Sequence, residues 1–283
     1  MADVYYKIDG NNIYYCNEQK DGYSALIHTT PPVSNGKNLI IDYIDNKFIL
    51  PSNSSGLCYG ITNSNLNETY KWDASGVSWM EGMFGDCPNL NYISLGNWDV
   101  SNVSNMQTMF YKSPNITNSS ISIGNWNTHN VSNMFLMFGR TGITNNDFMK
   151  NWDMSKVRTI ETMFSGCERL TRVDMSNWNL SSIENVGGVF NNCYNLELIL
   201  APIDTDWNNG VIQGGNYVFR NCTKLSNWDG VEDITRANNT QPSGYFRYIK
   251  RNYSTYLKFA DDWVSVNLLE KDSDSWKQAE VYM

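Results

Sequence analysis

Asn97-Trp98-Asp99-Val100-Ser101-Asn102-Val103, running on to Met109-Phe110, is one copy of a phrase that returns along the chain. Tryptophans at 72, 98, 126, 152, 178 and 207 are spaced by 26, 28, 26, 26 and 29 residues. Twelve residues after each stands a phenylalanine: Phe84, Phe110, Phe138, Phe164, Phe190 and Phe219. Five residues after each tryptophan is Val77, Val103, Val131, Val157, Ile183 or Ile212, and eleven after it is Met83, Met109, Met137, Met163, Val189 or Val218. Three after the phenylalanine comes Cys87, Cys167, Cys193 or Cys222, with Ser113 and Thr141 in the other two copies. Six after it, in five of the six copies, stands Leu90, Ile116, Leu170, Leu196 or Leu225. Coincidence does not reach this depth, so an internal repeat governs the architecture.

Two periods share the unit. Valine, methionine and Met-Phe fall at i, i+3 and i+6/7, which predicts one face of a short helix. The Asp/Asn and Ser/Thr residues before that face are its N-cap candidates. The segments Leu90, Ile93, Leu95; Leu170, Val173, Met175; and Leu196, Leu198, Leu200 predict short strands. One such unit cannot bury its own apolar face, whereas a stack of copies can. The expected fold is an α/β repeat solenoid, a stack of about six leucine-rich-repeat-like units with short parallel strands. The Trp-to-Phe half keeps its length, while the Phe-to-Trp half runs 14, 16, 14, 14 and 17 residues. Residues 111–125 and 191–206 are therefore expected as protruding loops.

Phe-x-x-Cys-x-x-Leu-x-x-Ile, preceded by the apolar pair, resembles the BspA-type leucine-rich repeats of bacterial surface proteins. The phrases at 97–110 and at Asn151-Trp152-Asp153-Met154-Ser155-Lys156-Val157 through Met163-Phe164 are similar to the tryptophan-containing subfamily first noted in mycoplasma lipoproteins. That subfamily also occurs in gut bacteria and their phages. The match covers residues 72–228. It implies a binding scaffold without shared catalytic residues.

Outside the repeats, three segments divide the chain. Residues 1–70 alternate as strands around the turn Asp9-Gly10-Asn11-Asn12, with a second run over Leu39–Ile44 and Phe48–Leu50. They read as a small β-rich N-terminal cap or attachment domain, with the Ser/Asn/Gly-rich residues 51–70 as a linker or irregular entry turn. Residues 71–228 are the repeats. Residues 229–283, with the basic aromatic stretch Tyr245–Arg251, read as a C-terminal cap or attachment segment.

Composition narrows the partner. The 283 residues carry 21 Lys+Arg against 29 Asp+Glu, a net charge of −8, which argues against nucleic acid and against docking on an anionic membrane. Charged residues are 18%, so 39 asparagines supply much of the polar surface. No run of 18 apolar residues exists, so no membrane insertion is expected, and residues 1–15 show no signal peptide. Either export does not use the general secretory route or a leader was removed.

The chemistry-bearing residues favour architecture over catalysis. The methionine ladder (Met80, Met83, Met106, Met109, Met134, Met137, Met163) fits core packing better than a metal site. The cysteines fit inert buried thiols better than disulfides. The repeated tryptophans fit neighbour-to-neighbour packing better than sugar stacking. Asp204-x-Asp206-x-Asn208 starts like a calcium loop but has Asn209 and Gly215 where Gly and Glu are needed. His28 and His129 sit near no nucleophile motif, and Asp261-Asp262 beside Trp263 reads as exposed acid, not as a glycosidase pair.

No enzyme, cofactor or metal is expected. The function expected is recognition or adhesion, on a phage virion surface or a bacterial cell surface, directed at a host-surface protein or glycan, with other virion proteins as further partners. Contact candidates on the concave strand face are Tyr92, Ser94, Ser120, Ser122, Arg172, Asp174 and Glu197, read as outward positions beside the apolar strand residues. The alternative is a structural assembly or decoration protein that self-associates or docks on a particle.

Overall fold

The computed structural model describes residues 3–26, 34–202 and 215–225, and the backbone of three further strands at 246–249, 269–272 and 275–278. The chain begins with a four-stranded sheet of order β3-β1-β2-β4, made of β1 (Tyr5–Asp9), β2 (Asn12–Cys16), β3 (Ser24–Ala25) and β4 (Asn38–Ile41). Strands β1 and β2 form an antiparallel hairpin, Asp9 opposite Asn12, and Gly10 at φ 56° makes the tight turn. Strand β4 then joins β2 in parallel.

From there the chain winds in rungs, each placed beside the last by parallel contacts. β5 (Phe48–Ile49) pairs with β7 (Trp72–Asp73), and β6 (Asn65–Leu66) pairs with β8 (Tyr92–Ile93). Parallel bridges run on through Asn53, Trp79, Asn105, Asn133, Thr159 and Asn185. β9 (Arg172–Asp174) pairs with β10 (Leu198–Pro202), and β10 with β11 (Phe246–Ile249), again in parallel. β12 (Leu269–Asp272) and β13 (Ser275–Gln278) form an antiparallel pair.

Among the described residues there is no α-helix, which corrects the α/β expectation. The apolar face at i, i+3 and i+6/7 comes from successive i→i+3 turns: Met83 N–H bonds Met80 O at 3.3 Å and Gly85 N–H bonds Gly82 O at 3.0 Å. The intervening N–H groups are used between rungs. Met80, Gly82, Phe84 and Asp86 donate to Asn105, Gln107, Met109 and Tyr111 at 2.7–2.9 Å. A helix is also blocked by a left-handed residue ten after each tryptophan, as at Gly82, Thr108, Leu136, Thr162 and Gly188 (φ 52–60°). The Asp and Asn side chains close Asx turns and cap no helix: Asp73, Asp99, Asp153 and Asn179 each accept from the N–H two residues on, at 2.9–3.1 Å. Two short 3-10 turns, Asn67–Lys71 and Asp147–Met149, complete the helical content of the described residues.

Residues 51–70, read from sequence as a linker or entry turn, make the same rung contacts. Ser54, Gly56, Cys58 and Gly60 N–H donate to Trp79, Glu81, Met83 and Gly85 O at 2.8–3.0 Å. One buried apolar cluster runs from Val4 to Leu225, so the N-terminal sheet and the rungs share a core. Tyr15 Oη donates to Leu57 O at 2.8 Å, and Asn17 exchanges two bonds with the backbone of Ile49 (2.7 and 2.8 Å).

Inside the rungs the repeated residues form columns. Phe84, Phe110, Phe138, Phe164, Phe190 and Phe219 stack with centroids 5.6–6.2 Å apart and planes within 15°. Trp72 stacks on Trp98 and Trp126 on Trp152, each at 6.0 Å. All six cysteines are buried. Cys87, Cys167, Cys193 and Cys222 each donate S–H to the carbonyl at the phenylalanine position one rung earlier, at 2.9–3.3 Å, and Ser113 donates its hydroxyl to Phe84 O in the same register. Burial pushes the Cys87 and Cys167 thiols up to about 12 and about 11, and holds them neutral.

Candidate functional site

The seven strand-face candidates fall into two groups, separated by the rung of Thr144–Met149. Tyr92, Ser94, Ser120 and Ser122 lie on β8 and the adjoining stretch that bridges Ile93 to Ile121. Tyr92 and Ser122 are exposed and Ser94 is half-buried. Ser120 is not an outward residue. It is 4% exposed, and its hydroxyl bonds Thr117 N at 3.1 Å and Thr117 Oγ1 at 2.9 Å. The two extra residues of this rung close a turn, with Ser120 N–H on Thr117 O at 3.0 Å, and Ile116, Ile121 and Ile123 are buried around it. The expected protruding loop at 111–125 is thus packed into the stack; the end of the other one, 203–206, lies outside the described residues.

Arg172 and Asp174 sit together on β9. The Arg172 guanidinium pairs with Asp147 and stands 3.7 Å from Asp174. Glu197 is exposed but one position out of line. Arg172 is opposite Leu198, and Ile199, not Leu198, fills the buried position opposite Val173. The strand phase Leu196, Leu198, Leu200 is corrected accordingly: the inward residue comes three after Leu196, as Val173 comes three after Leu170. The expected concave face therefore consists of two separate patches. The calcium-like stretch at Asp204, Asp206 and Asn208, His28, and Asp261-Asp262 lie outside the described residues.

A more singular feature is on the turn edge of the stack. Regular rungs place two residues between the Cys-register position and the next buried aliphatic: Pro88-Asn89, Pro114-Asn115, Glu168-Arg169 and Tyr194-Asn195. Each pair is closed by an i→i+3 bond of 3.0–3.2 Å, from Leu90, Ile116, Leu170 or Leu196. The rung after Phe138 has Gly142 alone before buried Ile143. Its N–H crosses to Ile116 O at 2.9 Å. A Cβ at Gly142 would stand 2.4 Å from Pro114 O, so no other residue fits this shortcut without displacing the neighbouring turn.

The missing residue leaves a notch between the Pro114-Asn115 and Glu168-Arg169 turns. The cleft there holds about 600 Å³ and is bordered further by Arg140, Gly166, Asn192 and Tyr194. Gly166, at φ 72°, lets the Arg140 stem lie across it, since a Cβ there would meet Arg140 Cγ at 2.9 Å. Tyr194 is 44% exposed, and its hydroxyl donates to Asn192 Oδ1 at 3.4 Å. Among the described residues, neither Arg140 nor Arg169 forms an ion pair, and neither does Glu168. A second cleft, of about 340 Å³ beside Lys156, Arg158 and Ser181–Glu184, differs in this respect. There Arg158 is spent on a two-pronged pair with Glu184 at 2.9 Å.

Sequence reading missed the notch. Its signal was visible: Ile143 stands five residues after Phe138, whereas the other copies place Leu or Ile six after. The remaining titratable surface group of note is Asp153. The Ser155 hydroxyl, then His129 Nδ1 at 2.8 Å, hold its carboxyl down to about 2. Among the described residues, no group of three or more His, Cys, Asp or Glu is arranged to hold a metal ion, and no helix is long and apolar enough to cross a membrane.

Comparison with known proteins adds a family match. The model of a family described as mycoplasma protein of unknown function, DUF285, matches residues 53–170 and 115–234 in two overlapping copies. No curated protein matches the chain. Among solved structures, a leucine-rich repeat protein from Bacteroides ovatus is similar at 12% identity, over 80% of this chain and 92% of that one, with a TM-score of 0.23. So low a TM-score has no bearing on the fold, which is described from its own hydrogen bonds and register.

Proposed function

This chain belongs to the DUF285 family of repeat proteins, and from that premise we propose that it is a non-enzymatic recognition module, a solenoid of about six Trp-to-Phe units that presents a binding site on its turn edge. The observation that carries the reading is the Gly142 notch. The turn after the Cys-register position loses a residue at Gly142 alone among the Trp-to-Phe rungs described, and two unpaired guanidinium groups, a carboxylate and an exposed tyrosine border the gap. A concavity bordered by a few polar groups is the default place for a ligand to sit.

The resemblance to BspA-type surface repeats supports placing the module outside the cell, on a bacterial surface or a virion, with a host-surface protein or glycan as partner. Net charge of −8 supports the exclusion of nucleic acid. Neutral, buried thiols support a scaffold over a cysteine nucleophile.

The test is retention of the full chain on host cells and on a glycan array. The expected result is saturable binding that falls at least about tenfold on Arg140→Glu combined with Arg169→Glu, each decade being about 1.4 kcal/mol. Absence of binding, together with a stable trimer or larger assembly by sedimentation, would favour the structural assembly reading instead.

A further inference from the structure

Resting on the recognition reading, we infer that the Gly142 notch takes a carboxylate-bearing saccharide, a hexuronate-type glycan, with Arg140 and Arg169 on the carboxylate and Tyr194 against the ring. The guanidinium fork matches a carboxylate in plane and in two hydrogen bonds, which a neutral sugar does not offer. Arg140 is pre-set for this task, because its stem lies across Gly166 and no carboxylate claims its head. The contrast with Arg158, clamped by Glu184 in the neighbouring cleft, shows what a satisfied arginine looks like in this same stack.

Three features favour a sugar over an acidic peptide. An extended peptide needs free backbone donors or apolar pockets. The N–H groups of Arg140, Thr141, Gly142, Gly166 and Asn192 are bonded at 2.7–3.1 Å to Ser165, Phe138, Ile116, Asn191 and Arg220 oxygens, and the free ones, of Asn115, Glu168, Arg169 and Tyr194, sit in three separate turns and offer no strand edge. The lining is polar apart from Pro114 and the Tyr194 ring. The Glu168 carboxylate adds an acceptor suited to sugar hydroxyls and unsuited to a run of acidic side chains. Tyr194, anchored through Asn192, offers a flat and rigid face at small entropic cost. A single charge per sugar also suits an acidic protein better than a polyphosphate does. Two arginines beside one glutamate, in a chain of net −8, attract a dilute anion at short range and no further.

The experiment is calorimetric titration of the full chain with trigalacturonate, with its neutral reduced counterpart trigalactose, and with triglutamate, at low and high salt. The inference expects trigalacturonate to bind at least tenfold more tightly than the other two. It also expects that preference to shrink as salt rises, and to vanish in Arg140→Gln and Arg169→Gln while thermal stability stays unchanged. Glu168→Gln, which keeps an acceptor and removes a negative charge, should retain or tighten binding. Equal affinity for trigalactose, or for triglutamate, would overturn the saccharide assignment. So would undiminished binding in both arginine variants. Failure of all three probes, with retention on host cells still abolished by the double charge reversal, would overturn this inference and leave the recognition reading standing. Loss of cell retention as well would remove both.

Discussion

The rung from Trp152 to Trp178 and the rung before it, from Trp126 to Trp152, are each 26 residues long, yet they solve the turn edge differently. The later rung closes Cys167-Glu168-Arg169-Leu170 by a bond of 3.0 Å. The earlier one drops a residue and crosses from Gly142 to Ile116 O. It recovers the length in the 3-10 turn Asp147–Met149, whose Phe148 packs edge-on against Phe138 at 5.4 Å. Asn146 there replaces a stretch of strand: its side chain accepts from Asp174 N at 2.7 Å and donates to Asp174 O at 2.8 Å. The stack therefore tolerates a rearranged edge because its columns stay in register. The interior carries stability, and the edge is free to carry a site.

The largest effect is expected in the interior. Phe164→Ala removes a ring stacked on both sides within the regular rung and should cost ~3–5 kcal/mol by denaturant unfolding. A loss under about 1 kcal/mol would mean the column is not structural. The edge is sharpened by two alanines. Gly142→Ala should cost about 1–3 kcal/mol, because a Cβ meets Pro114 O, whereas Gly76→Ala, with open space and an ordinary φ, should lie within about 0.5 kcal/mol of wild type. Equal melting temperatures for the two would contradict the shortcut. A smaller effect separates the thiol register. Cys193→Val loses the donor to Phe164 O and should cost about 1 kcal/mol or less, while Cys193→Ser restores it, as Ser113 does in its own rung.

The least effect is at Asp153. Its folded pKa lies below the ordinary carboxylate value, so its contribution is full above about pH 4 and is lost as pH falls toward 2. The group is 41% exposed, which limits that contribution to well under ~1 kcal/mol. The fall in melting temperature over that interval should shrink slightly in Asp153→Asn.

Much of this architecture is legible in the sequence. The Trp, Phe, Met and Cys columns follow from spacing alone, because residues repeated in one register must stack. The helix was a misreading with a physical source: i→i+3 turns and helices both bring residues three apart to one side, and periodicity alone does not distinguish them. Left-handed Thr108, Leu136 and Thr162 at a position that also takes glycine were the missing clue. The asparagine surplus had a role that composition did not disclose. Asn17, Asn63 and Asn146 each exchange an N–H and a C=O bond with a backbone segment in another turn of the chain, as a peptide unit would. Ser120 was misplaced because a turn inserted before it carries it inward. The notch was hidden for a simpler reason. A deletion of one residue leaves the Trp-to-Trp distance intact when the next turn restores it.

The most direct measurement replaces Gly142 with the Glu-Arg dipeptide that occupies the same place one rung later. The notch is then filled by a regular turn, and the one added residue is taken up before the Asp147–Met149 turn, as the 28-residue rung from Trp98 to Trp126 takes up two with its columns in register. The expected result is a folded chain whose melting temperature equals or exceeds that of wild type, and whose binding to trigalacturonate and to host cells is lost. Binding that survives the filled notch would contradict the account, and so would a chain that no longer folds.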